Sequence, residues 1–251
     1  MADSLVYIAG AGPGDPELLT LKTRRLLETA DLVVYAGSLV NPEILSFCRE
    51  DCEKLSSIDM TLEEQTDVMM KAARAGRAVV RLHTGDPSLY GAVSEQVRIL
   101  TENGVKCEIV PGVSSFQGAA ARFGIEYTIP GGTQTLICTR AGGRTPVPDA
   151  EDIELLASHR ASMVIFLSSG MAGEVAEKCM SSGMPGGTPA AWIYRATWED
   201  ERMHVTTLEH LASSMEEAGI RNHALIVVGE CLRRDRSARS FLYGGYQEER
   251  P

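Results

Sequence analysis

Residues 78–93 read AVVRLHTGDPSLYGAV. The apolar run 78–82 leads into the loop TGDPSLYG, Thr84 to Gly91, and a helical pattern begins near Ala92, so the stretch reads strand, loop, helix. Gly85 permits a tight turn or a close approach of bare backbone to a ligand, Pro87 fixes its own φ and biases Asp86 toward an extended conformation, and Ser88 offers a helix N-cap. Two further stretches share this grammar: GAGPGDP (Gly10 to Pro16) after the run 5–9, and PGVSS (Pro111 to Ser115) after the run 105–110. In open α/β sheets such loops lie at the carboxyl ends of strands, where ligands bind. One loop alone is explained by the turn chemistry of Gly and Pro. Three on one sheet edge predict a continuous binding rim.

The same alternation extends along the first half. Strands are expected at 5–9, 32–35, 54–56, 77–82 and 106–110, separated by helices that Thr20 caps, that a Thr61–Glu64 capping box starts, and that Gly76, Gly104 and Gly124 stop. This predicts a mostly parallel sheet covered on both faces. The segment YTIPGGT, 127–133, interrupts the pattern, and the domain boundary is placed there: 1–126, then 127–232, then a charged tail, 233–251. In the second domain strands are expected at 135–139, 163–167, 190–194, 203–206 and 225–228, with helices at 150–158, 173–180 and 208–217. The strands 190–194 and 203–206 read as antiparallel neighbours, so this sheet is expected to be mixed, with 225–228 closing it. The expected class is α/β, in two αβα domains.

Composition bounds the function. Of 251 residues 44% are hydrophobic, enough for a substantial core, and 24 Lys plus Arg against 34 Asp plus Glu give a charge of −10, without the basic footprint of nucleic-acid binders. No apolar run reaches the ~20 residues of a membrane span and no signal sequence is seen, so a cytoplasmic location is expected. The six cysteines form no CxxC pair and read as reduced, mostly buried thiols. The five histidines show no metal-ligand spacing, and no metal is expected.

The chemistry-bearing motifs are few. GAGPGDP contains GxGxG, but Asp15 stands where a full GxGxxG has its last glycine, and the strand 32–35 ends in Ala36–Gly37 without an acid for a ribose hydroxyl. There is no P-loop and no nucleophile elbow. Asp86 reads as a backbone-bonding loop residue, with general acid or base as the alternative. Arg140 and Arg144 in CTRAGGRTPVP suit carboxylate recognition, or else belong to a solvated loop. Arg195 either faces the same cleft or pairs with Glu199 or Asp200. His83 reads as a packed structural residue rather than a base.

GAGPGDPELLTLK, YAGSLV, TGDPSLYG, VPGVSS, YTIPGGTQTLICTR and GRTPVP together resemble the tetrapyrrole methylases, S-adenosylmethionine-dependent enzymes that build corrins. The similarity runs from about Leu5 to Cys231. YAGSLV, IPGGTQTLICTR and GRTPVP resemble the branch that methylates carbon 11 of precorrin-4 or cobalt-precorrin-4. The resemblance implies two αβα domains enclosing a trough, a methyl donor folded between them, a homodimer, and an anionic tetrapyrrole substrate. Carried over position by position, it implies donor contacts from Pro13, Gly85, Asp86, Pro87 and Tyr90, from Ser114 and Ser115 where relatives have Thr-Ala, and from Leu167, Ala196 and Ala224. Arg140 and Arg144 are then expected to hold substrate carboxylates. No catalytic acid, base or nucleophile is assigned. The alternatives at this point are methylation at another ring position, a protein side chain as acceptor, or an S-adenosylmethionine-binding module without chemistry.

Overall fold

The computed structural model describes residues 4–143 and 145–233. Contacts divide these into two compact units: residues through Gly118 together with Thr197–Glu199, and Ala119–Ala196 together with the residues from Asp200 onward.

The first unit is built on β1 (Leu5–Gly10), α1 (Leu21–Thr29), β2 (Leu32–Tyr35), β3 (Glu53–Ser56), α2 (Leu62–Arg74), β4 (Val79–His83), α3 (Val93–Glu102) and β5 (Lys106–Val110), followed by α4 (Ser115–Phe123), inside which the division falls. The helix starts follow local chemistry. The Thr20 hydroxyl accepts from the Thr23 amide at 3.1 Å, and Thr61 and Glu64 form a reciprocal capping box. Gly76 takes φ +78°, as a left-handed stop requires. All strands are parallel, in the order β3-β2-β4-β1-β5. The chain leaves β1 toward β2 on one side and leaves β4 toward β5 on the other, so the β1/β4 junction is a topological switch point, where α/β sheets place ligands. The central strand β4 is buried throughout, and its apolar residues pack with those of β1 and β2 into cores on both faces. A 3-10 helix at Pro42–Phe47, N-capped by Asn41, fills the β2–β3 connection, for which the sequence pattern predicted nothing regular.

The second unit contains β6 (Leu136–Arg140), α5 (Ile153–Ala157), β7 (Ser162–Phe166), α6 (Ala172–Ser181), β8 (Pro189–Tyr194), β9 (Arg202–Thr207), α7 (Leu208–Glu217) and β10 (Ala224–Val228). The order β6-β7-β10-β8-β9 makes it mixed: β6 and β7 are parallel, and β10 runs antiparallel to both β7 and β8. The β8–β9 pair is antiparallel, as expected. Two expectations need correction. The run 225–228 does not close the sheet; β10 is inserted at its centre and is buried along its whole length, consistent with its unbroken apolar sequence. The helix expected at 150–158 is two pieces, a 3-10 turn Asp149–Glu151 and then α5, because Asp152 takes an extended N-cap conformation and its carboxylate accepts from the Glu154 amide at 2.9 Å. The six cysteines are thiols outside any disulfide; Cys52, Cys179 and Cys231 are buried, while Cys48, Cys107 and Cys138 are half-buried. Arg144 and the tail 234–251 lie outside the described residues.

Candidate functional site

The three Gly/Pro loops of the first unit meet above the switch point, backbone against backbone. Gly12 and Gly85 form a two-way bridge, each amide donating to the other's carbonyl at 3.2 and 2.9 Å, and the Ala11 amide donates to the His83 carbonyl at 2.7 Å. A Cβ on Gly10 would lie 2.4 Å from the Gly85 carbonyl oxygen, and one on Gly112 would lie 2.3 Å from the same atom. Only bare backbone fits there. Asp86 ties the second loop to the third. Its Oδ2 accepts from the Gly112 amide at 2.8 Å, and its Oδ1 accepts from the Ser88 amide at 2.8 Å and from the Ser88 hydroxyl. Burial pushes the Asp86 carboxyl up, but the Ser88 hydroxyl and the Gly112 and Ser88 amides together hold it below the ordinary carboxylate range. Asp86 therefore has the backbone-bonding role. Ser88 does not cap the helix: Asp86 takes its hydroxyl, and the N-cap of α3 is Ala92, which makes no side-chain cap bond.

Pro13 and Gly14 are held by residues that sequence reasoning missed. Trp198 donates from Nε1 to the Pro13 carbonyl at 3.0 Å, Asn41 donates to the Gly14 carbonyl at 2.9 Å, and the Thr197 hydroxyl accepts from the Asp15 amide at 3.0 Å. The indole lies so close to Gly14 that a Cβ there would overlap it at 2.1 Å. Nothing local in GAGPGDP signals a tryptophan 185 positions away. Ser114 is buried, and its amide donates to Gln117 Oε1 at 2.8 Å at the start of α4. Pro13, Gly85, Asp86, Pro87 and Ser114 thus lie on loops that the structure joins, and Ser115 opens α4 beside them. Tyr90 ends the central loop, 44% exposed.

In the second unit, Arg140, Leu167, Ala196 and Ala224 share one sheet edge. Arg140 pairs in register with Phe166, Ala224 with Tyr194, and Leu167 and Ala196 lie just beyond the ends of β7 and β8. Hydroxyls hold this edge. Ser168 Oγ accepts from the Ala141 amide at 2.8 Å and donates to the Phe166 carbonyl at 2.6 Å, and Ser169 Oγ donates to the Ala224 carbonyl at 2.8 Å. Arg140 donates to the carbonyls of Thr145 at 2.7 Å and Pro146 at 2.8 Å, which fastens its own loop. Arg195 pairs with Asp200 at 2.8 Å, one of the two carboxylates expected for it.

Both edges carry backbone strain. Tyr90, Ala92, Leu167, Arg195, Thr197 and His223 all have φ between +47° and +70°. Each left-handed non-glycine costs roughly 1–3 kcal/mol, and such residues gather where function demands a shape. Leu167 combines this strain with 70% exposure, unusual for a leucine that only packs.

A sequence profile of the tetrapyrrole (corrin/porphyrin) methylases matches residues 5–212. The chain belongs to this family. It is 46% identical to a cobalt-precorrin-4 C(11)-methyltransferase of Methanocaldococcus jannaschii, across 95% of this chain and 92% of that protein. Among solved structures, a cobalamin biosynthetic enzyme, cobalt precorrin-4 methyltransferase, superposes with a TM-score of 0.90 at 45% identity, covering 92% of this chain and 96% of the other. A uroporphyrin-III C-methyltransferase from Thermus thermophilus, solved with S-adenosylhomocysteine, gives a TM-score of 0.77 at 33% identity, covering 91% and 98%. The two-sheet α/β architecture expected from sequence is the one these methylases share.

Proposed function

We propose that this chain transfers a methyl group from S-adenosylmethionine to carbon 11 of precorrin-4 or cobalt-precorrin-4 during corrin-ring (cobalamin) biosynthesis. The observation that carries the reading is the glycine-only convergence of three loops at the switch point of a chain that is close, over nearly its full length, to a carbon 11 methylase. Such a cradle presents backbone carbonyls and amides at close range and suits a ligand bound by its polar edges. When bound, the donor supplies an electrophilic methyl on a sulfonium, and an enamine-like ring carbon of the substrate supplies the electron pair.

The protein is left with binding, orientation and exclusion of water. This agrees with a site whose loop carboxylates, Asp15 and Asp86, are both committed to backbone amides. In this reading the donor contacts are Pro13, Gly85, Asp86, Pro87, Tyr90, Ser114 and Ser115, with Leu167, Ala196 and Ala224. Arg140 and Arg144 hold substrate carboxylates, Arg140 through the loop it fastens. The functional domains are 1–126 and 127–232, with the tail beyond, and the enzyme acts in the cytoplasm as a homodimer.

Reaction of the purified protein with methyl-labelled donor and precorrin-4, with and without cobalt, tests the reading through the position of the new methyl in the product. One methyl at carbon 11 is expected. A methyl at any other carbon overturns the substrate assignment, and unchanged substrate affinity in Arg144→Ala removes the carboxylate anchor.

A further inference from the structure

We infer that Arg81 and Gln96 form a buried positioning device for the loop 84–91, in which Gln96, oriented by Arg81, grips the Gly91 carbonyl and thereby sets how the loop meets the methyl donor. The inference rests on the donor reading above.

Arg81 sits in the middle of β4, 5% exposed, and no described carboxylate pairs with it. Its Nη1 donates to the Val34 carbonyl at 3.1 Å and its Nε donates to Gln96 Oε1 at 3.2 Å. Gln96, on the first turns of α3, is 2% exposed. A guanidinium has donors only, so the amide oxygen of Gln96 must face Arg81 and its NH2 must face away. That NH2 lies 3.4 Å from the Gly91 carbonyl oxygen.

Gly91 is the crowded point of the loop. A Cβ there would fall 2.7 Å from the Pro87 carbonyl oxygen and 3.2 Å from His83 Nδ1. It stands between Tyr90 and Ala92, both left-handed at φ +55° and +49°. Ala92 is the N-cap of α3 and contributes no capping side chain, so the grip of Gln96 on Gly91 ties the helix start to the loop where a cap bond is missing. The residue type is informative. A glutamate at 96 would pair more strongly with buried Arg81 but could not donate to a carbonyl. A glutamine satisfies both neighbours.

Two variants separate positioning from simple support of the fold. Gln96→Glu keeps an acceptor for Arg81 and loses the donor to Gly91; Gln96→Met loses both. For Gln96→Glu we expect a thermal midpoint at or above that of the wild type, S-adenosylhomocysteine binding weaker by about fivefold or more, the scale of one hydrogen bond, and a raised donor KM with an unchanged tetrapyrrole KM. Gln96→Met should weaken donor binding at least as much, and if it does not fold the Gln96→Glu result decides alone. Donor binding by Gln96→Glu as tight as the wild type's overturns the inference. Absence of binding by the wild type itself would overturn the donor reading and this inference with it, whereas loss confined to the variants leaves that reading intact.

Discussion

The two sheet edges that carry the matched positions are made in different ways. In the first unit, three loops of recognisable composition pack glycine on glycine; the joints between the loops are main-chain hydrogen bonds and one carboxylate, and the side chains of Trp198, Asn41 and Thr197 brace the first loop. In the second, the edge is held by single side chains, Ser168, Ser169 and Arg140, acting across gaps in sequence, with a strained and exposed leucine beyond β7. A backbone-built edge has almost no tolerance for an added atom. A side-chain-built edge loses stability in proportion to the bond removed and keeps its shape.

The sharpest way to break this contrast is Gly112→Ala. Its methyl would lie 2.3 Å from the Gly85 carbonyl oxygen and 2.8 Å from Gly10 Cα, both main chain, so the loops must part. We expect a stability loss of about 3 kcal/mol in urea unfolding, together with loss of measurable S-adenosylhomocysteine binding by calorimetry. Retained affinity would show that the convergence is not the donor site.

Beneath the first edge lies His83, 4% exposed, with an Nε2 that has no hydrogen-bond partner among the described residues. Burial, and then the charge of Arg81, push its pKa down to about 3. The folded value is below the unfolded value of about 6.5, so the unfolded chain takes up its proton first as pH falls. The stability His83 preserves by staying neutral is complete above about pH 6.5. It drains by up to about 1.4 kcal/mol per pH unit toward the folded value. His83→Gln should flatten that limb of the stability profile, and an unchanged slope between pH 6 and 4 would contradict the burial argument.

The corresponding break in the second unit is Ser168→Ala, which strands the buried Ala141 amide. A cost of about 2 kcal/mol is expected in urea unfolding. The smallest effect belongs to Asp86→Asn at neutral pH, about 1 kcal/mol, because the half-exposed carboxylate is screened. The Asp86 pKa is depressed on folding, so its contribution is full above the unfolded carboxylate value near 3.9 and is lost as pH falls through the folded one. The gap between Asp86→Asn and the wild type should therefore narrow below about pH 4.

What sequence could reveal follows the same division. The strand–loop–helix repeats, the Thr61–Glu64 box and the Gly76 stop are written in neighbouring residues, and the structure places each where its chemistry predicts. Ser88 misleads because a hydroxyl beside Asp86 has a nearer partner than the helix end. The central place of β10 is not legible, since an apolar run reports burial and not which neighbours provide it. Trp198 against Pro13, and Ser169 against Ala224 across 55 positions, leave no local pattern, because such contacts are fixed only once the sheets have formed. The Arg81–Gln96 contact is similarly hidden: the two residues stand 15 positions apart on a strand and a helix, and only their common burial brings them together.

The most direct test of the account is a crystal structure of the protein with S-adenosylhomocysteine. The ligand is expected to lie against Pro13, the Gly85–Asp86–Pro87 segment and Ser114, with polar contacts made mainly to main-chain atoms of the glycine loops. A ligand bound elsewhere on the protein, with those loops unengaged, would contradict it.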